Sequence, residues 1–141
     1  MTIFNSFSEQ DTHDIGVKLA KKLKGKEIIA FYGGMGMGKT AFVRGIADYF
    51  GLENEVSSPT FAIVNEYKGN VTIYHFDMYR INGIEDLEST GFYDYVDNGI
   101  MLIEWSENIE SLLPKDIIKI FIEVGENENH RKIFIEGIDI K

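Results

Sequence analysis

Apolar positions first fall into a helical spacing. Ile15, Leu19 and Leu23 stand four apart, Ala20 widens the stripe, and Ser8, Glu9 and Asp11 suit an N-terminal cap, so a helix is predicted over Asp11–Lys24. The spacing then closes into a short continuous run, Glu27–Tyr32 (EIIAFY), that stops at glycines, the pattern of a buried strand. Helical spacing returns over Lys39–Phe50, with Phe42, Ile46 and Phe50 on one side and Gly51 placed to end it. Beyond a polar loop, Phe61–Tyr67 and Val71–Tyr79 read as strands joined at Lys68-Gly69-Asn70, a hairpin signal. Residues 83–98 are mixed and predict short helices with an acidic surface. Ile100–Trp105 (IMLIEW) is a second buried strand, and Ile117–Val124 with Lys132–Glu136 makes an antiparallel pair around the turn Gly125–His130. Strands and helices alternate early and strands pair locally later. That order predicts a three-layer α/β domain with a mixed, partly antiparallel sheet.

The chain of 141 residues has no internal repeat and no Pro/Gly/Ser linker, so one domain over residues 1–141 is expected. A hydrophobic content of 44% supplies a core. Without cysteine, disulfides, thiol catalysis, iron–sulfur clusters and Cys-ligated zinc are excluded together. No apolar run approaches the roughly 18 residues that cross a bilayer. The opening MTIFNSFSEQDTHD lacks the basic and apolar regions of a signal peptide, so a soluble, cytoplasmic protein is expected. Residues 1–80 carry nine acids and nine bases, whereas residues 81–141 carry fourteen acids and five bases, which accounts for the net charge of −9. An evenly basic surface for nucleic acid is absent, and any role with RNA is expected to run through a partner. The acidic half also reads simply as a solubilising surface.

One segment carries clear chemistry. Gly33-Gly34-Met35-Gly36-Met37-Gly38-Lys39-Thr40 fits G-x-x-x-x-G-K-[ST] and lies between a predicted strand and a predicted helix. Glycines let the backbone turn with positive φ and bring its N–H groups around phosphate oxygens. The helix beginning at Lys39 points its positive end at the same anion. Lys39 adds a full charge near the β- and γ-phosphates, and the Thr40 hydroxyl is placed to ligate Mg²⁺. Gly34, Met35, Gly36, Met37, Gly38, Lys39, Thr40 and Ala41 are the expected nucleotide-binding positions.

Such a loop needs an acid to hold the metal or position water. Glu104 closes the run Ile100-Met101-Leu102-Ile103 and would be delivered to the phosphates by its strand; solubility at a strand end explains the same acid. Asp77 ends the other strand, in His75-Phe76-Asp77-Met78-Tyr79-Arg80, and shares a face with His75 by period-two alternation. A turn cap is the competing role for Asp77, and a hydrogen-bonded structural histidine the competing role for His75. Ser58-Pro59-Thr60 lies in a loop about twenty residues past Thr40, where a hydroxyl can meet the γ-phosphate and Mg²⁺ as in a switch loop; a plain turn fits equally. Arg80 and Arg131 are two of three arginines and are candidates for contact with phosphate or a partner. The third, Arg44, precedes Asp48 by four residues, the spacing of a surface helix pair. Trp105 follows Glu104 and suits core packing as well as binding.

Taken in order, G-G-M-G-M-G-K-T (33–40), S-P-T-F (58–61), H-F-D-M-Y-R (75–80) and L-I-E-W (102–105) resemble the TsaE family. Those proteins are small P-loop ATPases required for threonylcarbamoyladenosine in tRNA. The resemblance runs from about Ser8 to Arg131 and covers nearly the whole chain. It implies a P-loop NTPase fold with a mixed sheet, and ATP bound with Mg²⁺ through Lys39, Thr40 and Glu104, with Asp77 and Thr60 nearby. Lys39, Glu104 and Asp77 become the expected catalytic residues; Thr40, Glu104 and Asp77 the expected metal ligands; Thr60 and Arg131 join the nucleotide-binding set. The implied partners are TsaD and TsaB, which transfer the threonylcarbamoyl group, with tRNA reached only through that complex. A small-molecule kinase is disfavoured because a basic lid over the phosphates is hard to find among three arginines. A GTPase-like switch is disfavoured because the chain has no N-K-x-D segment.

Overall fold

The computed structural model describes residues 1–33, 38–52, 56 and 64–140. The expected loop positions Gly34, Met35, Gly36 and Met37, the switch-like Ser58, Pro59 and Thr60, and Phe61 lie outside the described residues.

The chain opens with strand β1 (Thr2–Ser6), followed by helix α1 (Glu9–Ala20). Ser8 caps α1 by accepting the Asp11 N–H at 3.0 Å, so the helix starts two residues before the predicted Asp11. It also ends earlier than Lys24. The Glu27 carboxylate gathers the N–H groups of Lys24, Gly25 and Lys26 at 2.7, 2.9 and 3.0 Å, fixing that segment as a turn. Burial would raise the Glu27 pKa, but these backbone donors outweigh it and hold the group below the usual carboxylate range.

Strand β2 (Ile28–Tyr32) leads to Gly33, and helix α2 (Lys39–Tyr49) starts from Gly38. Helix α2 ends as its sequence predicts. Gly51 takes φ +75°, its N–H reaches Asp48 O at 2.9 Å, and the Leu52 N–H reaches Ala47 O at 2.8 Å. The predicted hairpin is β3 (Val64–Tyr67) and β4 (Ile73–Asp77), antiparallel with Asn65 opposite His75 and Tyr67 opposite Ile73. Short helices α3 (Ile84–Ser89) and α4 (Phe92–Tyr95) follow where the mixed pattern places them. After β5 (Ile100–Glu104), Trp105 turns into the left-handed region at φ 59°, which ends the strand one residue before its predicted limit. A 3-10 helix over Ser106–Leu112 comes next, then β6 (Ile118–Val124) and β7 (Arg131–Glu136).

Seven strands among the described residues form one sheet, in the order β1-β7-β6-β2-β5-β4-β3. Strand β2 runs parallel to β5 and β6, and β5 runs parallel to β4; the remaining pairs are antiparallel. The mixed sheet predicted from the element order is therefore present. Strand β1 escaped prediction because it sits on the sheet edge with Ile3 56% exposed, so no clean apolar alternation marks it. Its partner β7 lies at the far end of the chain, pairing Phe4 with Ile133.

The two faces of the sheet carry separate cores. Ile15, Leu19, Phe42 and Ile46 of α1 and α2 pack on Phe31, Leu102, Ile120 and Ile133. On the other face, Leu87, Phe92 and Ile109 pack on Phe76, Met101 and Ile103. Three layers result. Helices α1 and α2 touch closely at Gly16 and Gly45: a Cβ on Gly45 would run into the His13 carbonyl, and one on Gly16 into the Phe42 carbonyl. Asp48 on α2 lies 3.4 Å from His13 Nε2 on α1. Among the described residues Asp48 stands against His13 in this way and forms no ion pair with the expected Arg44.

Candidate nucleotide-binding site

Parallel strands β2 and β5 end side by side at the edge where α2 begins, and this junction brings most of the chemistry together. Ligands in open α/β sheets bind at the carboxyl ends of such strands. Gly33 leaves β2 with φ +130°, and Gly38 enters α2 with φ +95°, conformations that favour glycine. Gly38 is the N-cap residue and provides no side chain to cap the helix, so the first turn of α2 presents its backbone donors outward.

Lys39 is the first residue of α2 and is only 5% exposed. Its Nζ donates to the Gly33 carbonyl at 2.9 Å, sits 3.9 Å from Glu104 Oε1, and lies 5.0 Å from the centre of the Trp105 ring. Among the described residues this buried ammonium meets one hydrogen-bond acceptor and one nearby carboxylate, and an ammonium carries three donors, which suits it to an anion. The Glu107 carboxylate accepts the Gly33 N–H at 3.3 Å, so a second acid faces the base of the loop.

Glu104 stands at the end of β5, in register with Asp77 at the end of β4. Its Oε2 is 2.5 Å from His75 Nε2, and His75 Nδ1 is 2.9 Å from the Tyr67 hydroxyl. Burial alone would raise the Glu104 pKa. The hydrogen bond and charge of His75, with the charge of Lys39, outweigh burial and hold the carboxyl below its ordinary range. At neutral pH it is an anion facing a cation.

A cavity of about 490 Å³ opens on this cluster. Gly38, Lys39, Thr40 and Ala41 form one wall, Glu104 and Trp105 another. Ser8, Glu9 and Thr12 at the start of α1, Glu128 and Asn129 of the β6–β7 turn, and Arg131 at the start of β7 also line it. Arg131 also braces that turn, donating through Nη1 to the carbonyls of Glu128 at 2.6 Å and His130 at 3.1 Å.

Gly38, Lys39, Thr40, Ala41, Glu104 and Arg131 thus meet around one space. Asp77 does not line it. Its Oδ1 accepts the Tyr79 N–H at 2.9 Å, the turn-capping arrangement, while its backbone keeps it beside Glu104. Asn108 Nδ2 donates to the carbonyls of Met78 at 2.8 Å and Tyr79 at 3.0 Å, fixing the turn that exposes Tyr79 and Arg80. Sequence reasoning missed Tyr67, Glu107, Ser8, Thr12 and Asn129 as site residues. Tyr67 was not legible either: the turn expected at Lys68-Gly69-Asn70 sets it opposite Val71, whereas the observed register sets it opposite Ile73 and so diagonal to His75, within reach of a long side chain.

A family model described as "Threonylcarbamoyl adenosine biosynthesis protein TsaE" matches residues 6–133. The tRNA threonylcarbamoyladenosine biosynthesis protein TsaE of Rickettsia conorii is 40% identical over 122 residues, covering 85% of this chain and 70% of its own. The protein of the same name from Treponema pallidum is 36% identical over 125 residues, 88% of this chain and 93% of its own. That of Bacillus subtilis is 33% identical over 128 residues, 89% and 80% respectively. The crystal structure of YdiB from Bacillus subtilis superimposes with a TM-score of 0.73 at 27% identity, covering 94% of this chain and 82% of that one. The fold is the α/β P-loop NTPase type with a mixed sheet, and the chain belongs to the TsaE family of threonylcarbamoyladenosine biosynthesis proteins.

Proposed function

We propose that this chain is the ATP-binding and ATP-hydrolysing member of the machinery that makes threonylcarbamoyladenosine in tRNA, acting beside TsaD and TsaB. The observation that carries the reading is the buried Lys39 ammonium at the uncapped start of α2, 3.9 Å from the Glu104 carboxylate and open to a cavity. A buried cation beside the first-turn amides of a helix suits a polyphosphate.

The residues also fit Mg²⁺. Among the described residues no group of three or more His, Cys, Asp or Glu forms a metal cage. Thr40 and Glu104 supply one hydroxyl and one carboxylate, and Mg²⁺ is commonly held by one or two carboxylates together with substrate phosphates and water. When bound, the ion would neutralise charge on the β- and γ-phosphoryl oxygens. Lys39 would bind the same oxygens, while the first-turn amides of α2 orient the triphosphate. Glu104 would hold the metal side of the site or orient the attacking water through its Oε1. Arg131 and Asn129 would close the cavity from the start of β7 and the β6–β7 turn, and Asp77 would support the strand end beside Glu104.

With no basic surface in the sequence, tRNA is reached through the partner complex, and the exposed Tyr79–Arg80 turn next to the site is the anchor for TsaD–TsaB. The test is ATP binding and turnover by the purified chain, with and without TsaD–TsaB. Binding that needs Lys39, with turnover that rises on adding the complex, supports the reading. No binding in any nucleotide state would sink it.

A further inference from the structure

Three side chains from three adjacent strands make a buried line that ends at the cavity. Tyr67 on β3, His75 on β4 and Glu104 on β5 are 3%, 2% and 15% exposed. Their contacts are 2.9 Å from the Tyr67 hydroxyl to His75 Nδ1, and 2.5 Å from His75 Nε2 to Glu104 Oε2. An ionised carboxylate can only accept, so Nε2 donates to it, while Nδ1 is hydrogen-bonded to the Tyr67 hydroxyl. Each group thereby fixes the next. The line leaves Glu104 Oε1 as the oxygen turned toward Lys39 Nζ, 3.9 Å away.

From this geometry we infer that His75, held by Tyr67, is a positioning residue that sets which carboxylate oxygen of Glu104 faces the bound nucleotide and its metal. The inference rests on the role given to Glu104 under the proposed function. A glutamate side chain has three rotatable bonds, and a strand end does not restrict them; a hydrogen bond from one buried donor does. Packing alone would be served by an apolar residue at position 75, as it is at neighbouring Ile73 and Phe76. A histidine buried there is costly unless both ring nitrogens find partners, and here both do. Partners of this kind, one bond removed from a metal ligand, typically change metal affinity or activity on the order of 10- to 100-fold when deleted.

The test uses His75→Leu, His75→Gln, Tyr67→Phe and Glu104→Gln in the full chain. Two readouts are taken: steady-state ATP turnover with TsaD–TsaB, and the gain in nucleotide affinity on adding Mg²⁺, measured with a fluorescent ATP analogue without turnover. His75→Leu should lower kcat by roughly 10- to 100-fold with little change in KM, and should shrink the Mg²⁺-dependent gain while leaving metal-free affinity unchanged. His75→Gln, whose amide N–H still reaches toward Glu104, should recover much of both. Tyr67→Phe should move both in the direction of His75→Leu by a smaller factor. If His75→Leu does not fold, His75→Gln and Tyr67→Phe decide the matter. Wild-type kcat and a wild-type Mg²⁺ gain in the folded variants, with Glu104→Gln defective, would overturn the positioning role alone. A Glu104→Gln variant with normal turnover and a normal Mg²⁺ gain would overturn the underlying reading of the site as well.

Discussion

In the proposed function Lys39 and Glu104 have different work. The ammonium would bind the negative phosphates, whereas the carboxylate would act on a metal or a water. Lys39→Ala should therefore weaken ATP binding at least tenfold, because it removes a buried cation that faces the cavity beside the Gly33 carbonyl and the Glu104 carboxylate. Glu104→Gln should bind nucleotide yet turn it over on the order of 100-fold more slowly, since the amide keeps the shape and loses the charge. Equilibrium binding with a fluorescent analogue and a phosphate-release assay separate the two effects. That the two side chains meet at one cavity was legible in the sequence, one from the glycine-lysine-threonine motif and the other from an acid closing an apolar run. The pairing of Glu104 with His75 was not, because period-two alternation places His75 with Asp77 on its own strand but says nothing about the strand beside it. Asp77 shows the same limit: its backbone arrives beside Glu104, and its carboxylate is engaged with Tyr79 N–H.

At the scale of elements, the site depends on how α2 is seated and how β2 is launched. Gly45 and Gly16 let α1 and α2 touch through their backbones. Gly45→Ala should destabilise the chain by about 1–3 kcal/mol, since the new methyl meets a carbonyl and not a flexible side chain. Chemical denaturation would measure it, and an unchanged midpoint would show that the helices shift apart freely. Glu27 secures the turn ahead of β2, and its effect depends on pH. Its folded pKa lies below the ordinary value of 4.5, so the ionised form favours folding, and that contribution is complete above about 4.5 and lost as pH falls through the lower folded value. Glu27→Gln should lower the thermal midpoint at neutral pH, with the gap to wild type closing on acidification. A gap that widens in acid would contradict the sign. Helices and central strands were readable from apolar spacing because they are buried against the sheet. The edge strand β1 and the 3-10 helix after Trp105 were not, since one depends on a partner at the other end of the chain and the other on a single left-handed residue.

For the molecule as a whole, the proposed function assigns the charge asymmetry and the exposed turn to a protein partner. The second half holds fourteen acids against five bases, and the Tyr79–Arg80 turn projects beside the cavity on a scaffold clamped by Asn108 and Asp77. Tyr79 is 58% exposed and packs its ring against Trp105, 4.9 Å between centres, so the exposed turn touches the residue that flanks Lys39. Arg80→Ala should keep ATP affinity within about twofold and lose most of the partner-stimulated turnover, a loss of tenfold or more if the arginine is an interface anchor. Co-elution with TsaD–TsaB in the presence of ATP checks the same point without catalysis. The most direct test of the account is ATP hydrolysis by a fixed amount of this chain as TsaD–TsaB is titrated in with Mg²⁺ present. Turnover that rises to a plateau with the wild type, and stays at background with both Lys39→Ala and Glu104→Gln, is the predicted result. Turnover that is flat at every concentration of the complex, or that survives either substitution, would contradict it.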